Sequence, residues 1–312
     1  MNSLGPVSPD FNTASVALPQ RRVLSTRLVD YAQLAKPRIA VMALVTVVVG
    51  YTLAAGDGWQ WLRLVNALVG IGLAAVASGA LNQYLERHSD RLMSRTADRP
   101  LPADRLAATE VGLVGLVSAI AGLTWLVVLV NPATAIATAV TLVLYLAVYT
   151  PLKQHSSLAT AVGAIPGALP PVLGWLAAGG TLDAGALALF GILFLWQFPH
   201  FLAIAWLYRD DYAAAGMKML PRAARRPGLT GMLGVIYTLA LIVVSSWPSQ
   251  LGLAGDGYLV AAFVLGAGYL VAALRFQFAE SDRTARGVLY TSLVYLPLLL
   301  GALTWDHLQM LR

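Results

Sequence analysis

Asn82, Glu86 and Asp90 recur at intervals of four in the run Asn82-Gln-Tyr-Leu-Glu86-Arg-His-Ser-Asp90. On a helix that spacing puts three oxygen-bearing side chains on one face over two turns. Such a row suits a hard divalent cation, and magnesium would complete its shell with waters and substrate phosphate oxygens. Arg95 and Arg99 follow, and guanidinium groups behind a carboxylate-held cation can clamp a diphosphate in a two-pronged grip. Spacing alone leaves a plainer alternative open, in which Glu86 and Asp90 merely pair with Arg87, Arg91 or Arg95 in a solvated loop. The chain has no cysteine, which excludes disulfides, thiolate metal sites and iron–sulfur ligation.

The elements that carry these residues are apolar. Of 312 residues, 58% are hydrophobic and only 12% charged, where a soluble domain averages about a quarter charged. Runs near 38–55, 64–85, 112–130, 132–149, 158–178, 185–207, 229–247, 257–275 and 287–305 are each long enough to span a bilayer as a helix. The expected fold is therefore an all-α membrane protein with nine transmembrane helices. Residues 1–35 lack such a run and read as a flexible cytoplasmic tail, leaving 36–312 as a single transmembrane domain.

Charge placement orients that bundle. Counting alternate loops puts 19 of the 21 Lys and Arg on one side and leaves Arg63 and Arg312 on the other. The positive-inside rule then places the N-terminus in the cytoplasm and the C-terminus outside. Although the net charge is +6, the basic residues sit at helix ends without interleaved aromatic platforms, so nucleic acid is not expected as a partner.

Two further features stand out. A second polar loop, Tyr208-Arg-Asp210-Asp211-Tyr212, follows the sixth span much as the first follows the second. If spans 2 and 6 face each other, acids from both loops meet at one end of the bundle. His200 lies inside span 6, where an ionisable group is by default a functional candidate. The alternative for His200 is helix packing, with its ring bonded to a carbonyl freed by Pro199. His88 and His155 fall in loops, and His307 falls near the outer C-terminus. Gly163, Pro166, Gly167, Pro170 and Pro171 mark a kink or close packing in span 5, and Trp59, Trp61, Trp175 and Trp247 read as interfacial anchors.

The pattern from Asn82 through Glu86, Asp90, Met93, Arg95-Thr and Arg99-Pro-Leu resembles the first signature of the UbiA superfamily of intramembrane prenyltransferases, in the form carried by its haem-farnesylating branch. Tyr149-Thr-Pro-Leu-Lys153, the Gly163 to Trp175 segment, Trp196-Gln-Phe-Pro-His200 and Arg209-Asp-Asp211-Tyr212 match in the same order, over most of Lys36 to Pro221. The resemblance implies a nine-helix bundle of the UbiA type. It implies magnesium held by Glu86, Asp90 and Asp211 with Asn82 beside them, and diphosphate contacts from Asn82, Arg95, Arg99, Lys153, Arg209 and Lys218. Farnesyl diphosphate and haem B would be the substrates and haem O the product, with His200 as the haem-binding candidate and haem A synthase as a partner. Many members carry DxxxD at the second motif, where this chain has Tyr208 and Tyr212, so Asp211 is the remaining acid there. A bacterial inner membrane is the expected location, with the mitochondrial inner membrane as the other possibility. The competing readings are an aromatic prenyltransferase of quinone biosynthesis, against which His200 and Glu86 argue, and a secondary transporter for an anion.

Overall fold

The computed structural model describes residues 20–216 and 228–312, whose regular elements are all helices. A first helix, α1, covers Gln20–Leu34. Among the described residues nine helices are long and apolar enough to cross a membrane: α2 (Pro37–Ala55), α3 (Trp61–Asp90), α4 (Ala108–Leu129), α5 (Pro132–Leu152), α6 (Ala159–Ala177), α7 (Ala184–Leu207), α9 (Leu229–Gln250), α10 (Asp256–Phe278) and α11 (Asp282–Met310). Between α7 and α9 lies a short helix, α8 (Arg209–Ala214).

Every expected span is present, with ends shifted by a few residues. The polar end of α3 stays helical through Asp90 instead of stopping near residue 85, and α11 runs five residues further than expected at each end. Within the described part of the expected tail, α1 is formed and its end is docked. Asp30 accepts from Arg105 at 2.9 Å, Tyr31 donates to Glu110, and Leu34 packs against Ala80, Leu101 and Val111.

Side-chain caps start several helices. Asn131 Oδ1 accepts from the Thr134 amide at 2.8 Å, Asp183 Oδ1 takes the Gly185 and Ala186 amides, and Ser281 and Thr284 form a reciprocal capping box. Proline breaks α6 at Leu169, between Ala168 and Pro170, so the expected kink is there.

Two apolar clusters fill the bundle. One joins α2, α3, α4, α5 and α6 around Val47, Tyr51, Leu64, Leu126 and Leu173. The other joins α2, α6, α7, α9, α10 and α11 around Leu189, Ile192, Tyr269, Tyr295 and Leu299. Buried hydroxyls in the second are paired, with Tyr258 donating to the Ser245 carbonyl at 2.7 Å and Ser245 meeting Tyr295 at 2.9 Å. Leu113, Val128, Phe263, Val264 and Tyr290 are exposed outward, as a hydrocarbon surround allows. Trp175 departs from the interfacial expectation. It is only 6% exposed and packs in the second cluster, because the break in α6 turns it inward.

The crossing of α2 with α6 is backbone on backbone. A Cβ on Gly50 would lie 1.8 Å from the Pro171 carbonyl oxygen, and one on Gly174 1.9 Å from that of Val47. Small residues are what permit such contact in a membrane. Gly174→Val is expected to cost about 2 kcal/mol by forcing the helices apart. A thermal melt of the detergent-purified protein reads this as a clear fall in Tm, and an unchanged Tm would contradict the crossing.

Candidate active site

The persistence of α3 through Asp90 makes the four-residue spacing real, and the three side chains are buried, Asn82 to 1% exposure, Glu86 to 8% and Asp90 to 1%. Each holds one cation from a different part of the chain. Lys36 Nζ donates to Asn82 Oδ1 at 3.0 Å, Lys153 Nζ meets Glu86 Oε1 at 2.8 Å, and Arg99 pairs with Asp90 Oδ2 at 2.7 Å. The solvated-loop alternative, with Arg87, Arg91 or Arg95 as partners, therefore does not describe these carboxylates.

Local folding explains how the cations arrive. Thr96 Oγ1 donates to the Asp90 carbonyl at 2.8 Å, which folds the segment after α3 back so that Arg99 reaches Asp90. Lys153 follows a stretch of α5 wound as a π-helix, Leu144–Tyr149, a distortion frequent at functional sites. Thr150 bonds both the Tyr145 carbonyl at 2.8 Å and Asn82 Nδ2 at 3.3 Å, tying that bulge to the row. Lys153 Nζ also lies 4.3 Å from the centre of the Tyr149 ring. That ring leaves no room at Gly163, where a Cβ would come within 2.4 Å of it.

Lys36 does not stand out in the sequence motifs. It occupies the left-handed region at φ 46° between α1 and α2, an uncommon conformation for a non-glycine residue. Burial first, and then the neighbouring Arg99 and Lys153 charges, push its ammonium down to about 8. A lysine just ahead of the proline opening the first span is the one signal of it in the sequence.

The row fits a hard cation in one specific respect. Asp90 Oδ1 is buried with no hydrogen-bond partner among the described residues, a costly state that a bound cation would relieve. With three cations facing two carboxylates, the local charge also favours an anionic ligand such as a diphosphate.

The second loop does approach the first, although the acids do not converge. Ser94 Oγ donates to Asp211, at 2.9 Å and 3.1 Å from its two oxygens. Arg95 sits over the Tyr208 and Tyr212 rings, at 5.0 Å and 5.8 Å, and donates to the Tyr212 hydroxyl at 3.3 Å. Tyr208 and Tyr212 thus orient an arginine where acids would have offered metal ligands. Among the described residues no three His, Asp or Glu side chains cluster, and Asp211, expected beside Glu86 and Asp90, has Ser94 as its hydrogen-bond partner. Arg209 is also turned elsewhere, bonded to the Trp206 carbonyl at 2.8 Å and Asp282 at 2.9 Å. Lys218 lies outside the described residues.

His200 is half-buried on α7, stacked on Trp196 with ring centres 4.8 Å apart. Its partner is a side chain and not a carbonyl near Pro199, since Nδ1 lies 2.7 Å from Ser292 Oγ. The Ser292 hydroxyl spends its single proton on the Leu289 carbonyl at 2.6 Å. Toward His200 it can then only accept, so Nδ1 carries the hydrogen and Nε2 keeps its lone pair. Among the described residues Nε2 has no partner. His88 and His155 are exposed, whereas His307 is buried with Nδ1 on the Leu253 carbonyl at 2.8 Å.

Comparison with known proteins gives a consistent result. The family model described as the UbiA prenyltransferase family matches residues 43–305. The protoheme IX farnesyltransferase of Solibacter usitatus is 44% identical over 287 residues, covering 89% of this chain and 98% of that protein. The one from Opitutus terrae is 43% identical over 280 residues, covering 89% and 95%. Among solved structures, a digeranylgeranylglyceryl phosphate synthase superposes with a TM-score of 0.75 at 15% identity, over 91% of this chain and 99% of that one. A UbiA homologue from Archaeoglobus fulgidus, solved bound to GPP and Mg2+, gives 0.59 at 15% identity over 88% and 99%.

Proposed function

The chain belongs to the UbiA prenyltransferase family, and on that premise we propose that it joins farnesyl diphosphate to haem B, adding water and releasing diphosphate to form haem O. The relatives at more than 40% identity over about nine-tenths of the chain support this acceptor over a quinone precursor and over a transport role. The observation that carries the site is the buried row of Asn82, Glu86 and Asp90, each facing one cation.

Asn82, Glu86 and Asp90 would hold magnesium, which when bound neutralises diphosphate charge and so assists its departure. Arg99, Lys153 and Lys36 surround the leaving group, and Arg95, on the same loop as Arg99 and steadied by Tyr208 and Tyr212 of the facing loop, adds a further positive charge. As the diphosphate leaves, an allylic carbocation forms; a haem vinyl group supplies the electron pair for the new carbon–carbon bond, and water then adds to the vinyl-derived cation with loss of a proton. The apolar bundle keeps other water from the first cation and accommodates the farnesyl chain. His200, on the helix that leads into the second loop, would orient haem through the Nε2 lone pair. Eight residues separate it from Tyr208, about 12 Å along the axis, leaving room for a large acceptor beside the diphosphate.

The protein is a multi-pass membrane protein whose relatives are bacterial. The loop charges favour a cytoplasmic N-terminus and a site facing the cytoplasm, with an enzyme that oxidises haem O, such as haem A synthase, downstream. The deciding assay supplies haem B, farnesyl diphosphate and magnesium to the protein in nanodiscs. A porphyrin whose mass has risen by one farnesol is expected, and its absence, with farnesyl transferred to a phenolic acceptor instead, would overturn the reading.

Lys36 offers a milder check. Lys36→Met is expected to raise KM for farnesyl diphosphate about tenfold with little change in kcat, the signature of lost substrate binding. A fall in kcat at unchanged KM would remove Lys36 from the diphosphate contacts.

A further inference from the structure

At the opposite end of α3 from the carboxylates, its first turn and the end of α4 border an open recess of about 550 Å³. Arg63 and Glu86 share one helix, so 23 residues put this recess about 35 Å from the transfer site. Its volume lies in the range of small-molecule sites.

The lining has a definite chemistry. Arg63, Asn66 and Gln60 bring a guanidinium and two amides, no carboxylate lines the recess, and Trp61, Leu62 and Leu129 supply apolar walls. Arg63 makes no ion pair or hydrogen bond among the described residues, and its Nε is buried without a partner. A guanidinium at a membrane boundary is expensive in that condition and calls for an anion. Leu62 and Leu129 are also exposed, so the apolar wall continues onto the surface that faces hydrocarbon. A half-buried guanidinium whose Nε has no partner, joined to an outward apolar wall, matches a ligand with an anionic head and an acyl chain.

We propose that this recess binds one anionic phospholipid, with its phosphate held by Arg63 and Asn66 and its first methylenes lying on Leu62 and Leu129. The headgroup phosphate accepts from the guanidinium in the two-pronged manner that lysine cannot reproduce. A free phosphate would share the Arg63 contact and leave the apolar wall uncovered.

Native mass spectrometry of the full chain, released from nanodiscs with equal phosphatidylglycerol and phosphatidylcholine, tests this without reference to the transfer reaction. The wild type should keep one phosphatidylglycerol at collision energies that strip phosphatidylcholine. Arg63→Gln should lower that retention about fivefold, the expected share of one arginine at an anionic lipid. Asn66→Leu should lower it less, and both variants should retain farnesyl transfer. Equal retention of the two lipids, undiminished retention in Arg63→Gln, or displacement of the lipid by inorganic phosphate would each overturn the proposal. Should Arg63→Gln fail to fold, Asn66→Leu and Arg63→Lys, which keeps the charge but loses the fork, carry the same comparison.

Discussion

Asp90→Asn is expected to lower farnesyl transfer at least about a thousandfold, equivalent to about 4 kcal/mol of transition-state stabilisation. Asparagine keeps the size of the side chain and removes the charge that faces Arg99 on one oxygen and, among the described residues, no partner on the other. Two causes of such a loss must be separated. If Asp90 only anchored Arg99, then Arg99→Ala would match Asp90→Asn. If Asp90 holds a cation, Arg99→Ala should act mainly on KM for farnesyl diphosphate, and the thousandfold fall in kcat should be confined to Asp90→Asn. Titration with paramagnetic Mn2+ supplies the readout apart from turnover, because the variant should bind the ion at least about tenfold more weakly. Equal Mn2+ affinity in the wild type and the variant would sink the metal role even if activity were lost. Breaking a buried pair costs about 3–5 kcal/mol of stability, so the comparison belongs at a temperature where both variants remain folded.

The parts of this arrangement that sequence makes legible are those written within one element. Nine apolar runs and their polar breaks are local patterns, and the α3 row is a four-residue period on one helix, so hydropathy and spacing suffice to find both. What escapes such reading is written between elements. Lys36 meets Asn82 across 46 residues, and Ser94 meets Asp211 across 117, distances at which no periodicity speaks. The π-helical stretch ahead of Lys153 is stabilised by Thr150 and by the Gly163 gap opposite Tyr149, and neither is visible in a hydropathy profile. Trp175 reads as interfacial because tryptophan favours that depth, yet the break at Leu169 redirects it into the core. For Asp211, the meeting of the two loops follows from their matching positions along the chain, whereas its partner does not, since a serine hydroxyl competes with a cation for the same carboxylate.

Loss of the His200 imidazole should have the next largest effect, and its pattern distinguishes binding from packing. His200→Leu is expected to reduce kcat/KM for haem at least about a hundredfold, about 2.7 kcal/mol, with the affinity for farnesyl diphosphate unchanged within about twofold. The selectivity follows from position, because Nδ1 is fixed on Ser292 of α11 and Nε2 is left with a lone pair, while the proposed diphosphate contacts gather around the polar end of α3, from Lys36 ahead of α2, Arg99 after α3 and Lys153 at the end of α5. Haem added to the wild type should show the absorption change of an imidazole-ligated iron, which His200→Leu should lack and added imidazole should restore. Ser292→Ala tests the proton argument separately. Without the hydroxyl the ring is free to place its hydrogen on either nitrogen, so haem affinity should fall about tenfold, and Ser292→Thr should recover it. A packing histidine would give another result: His200→Leu would lower Tm and impair both substrates alike, with no spectral difference to rescue.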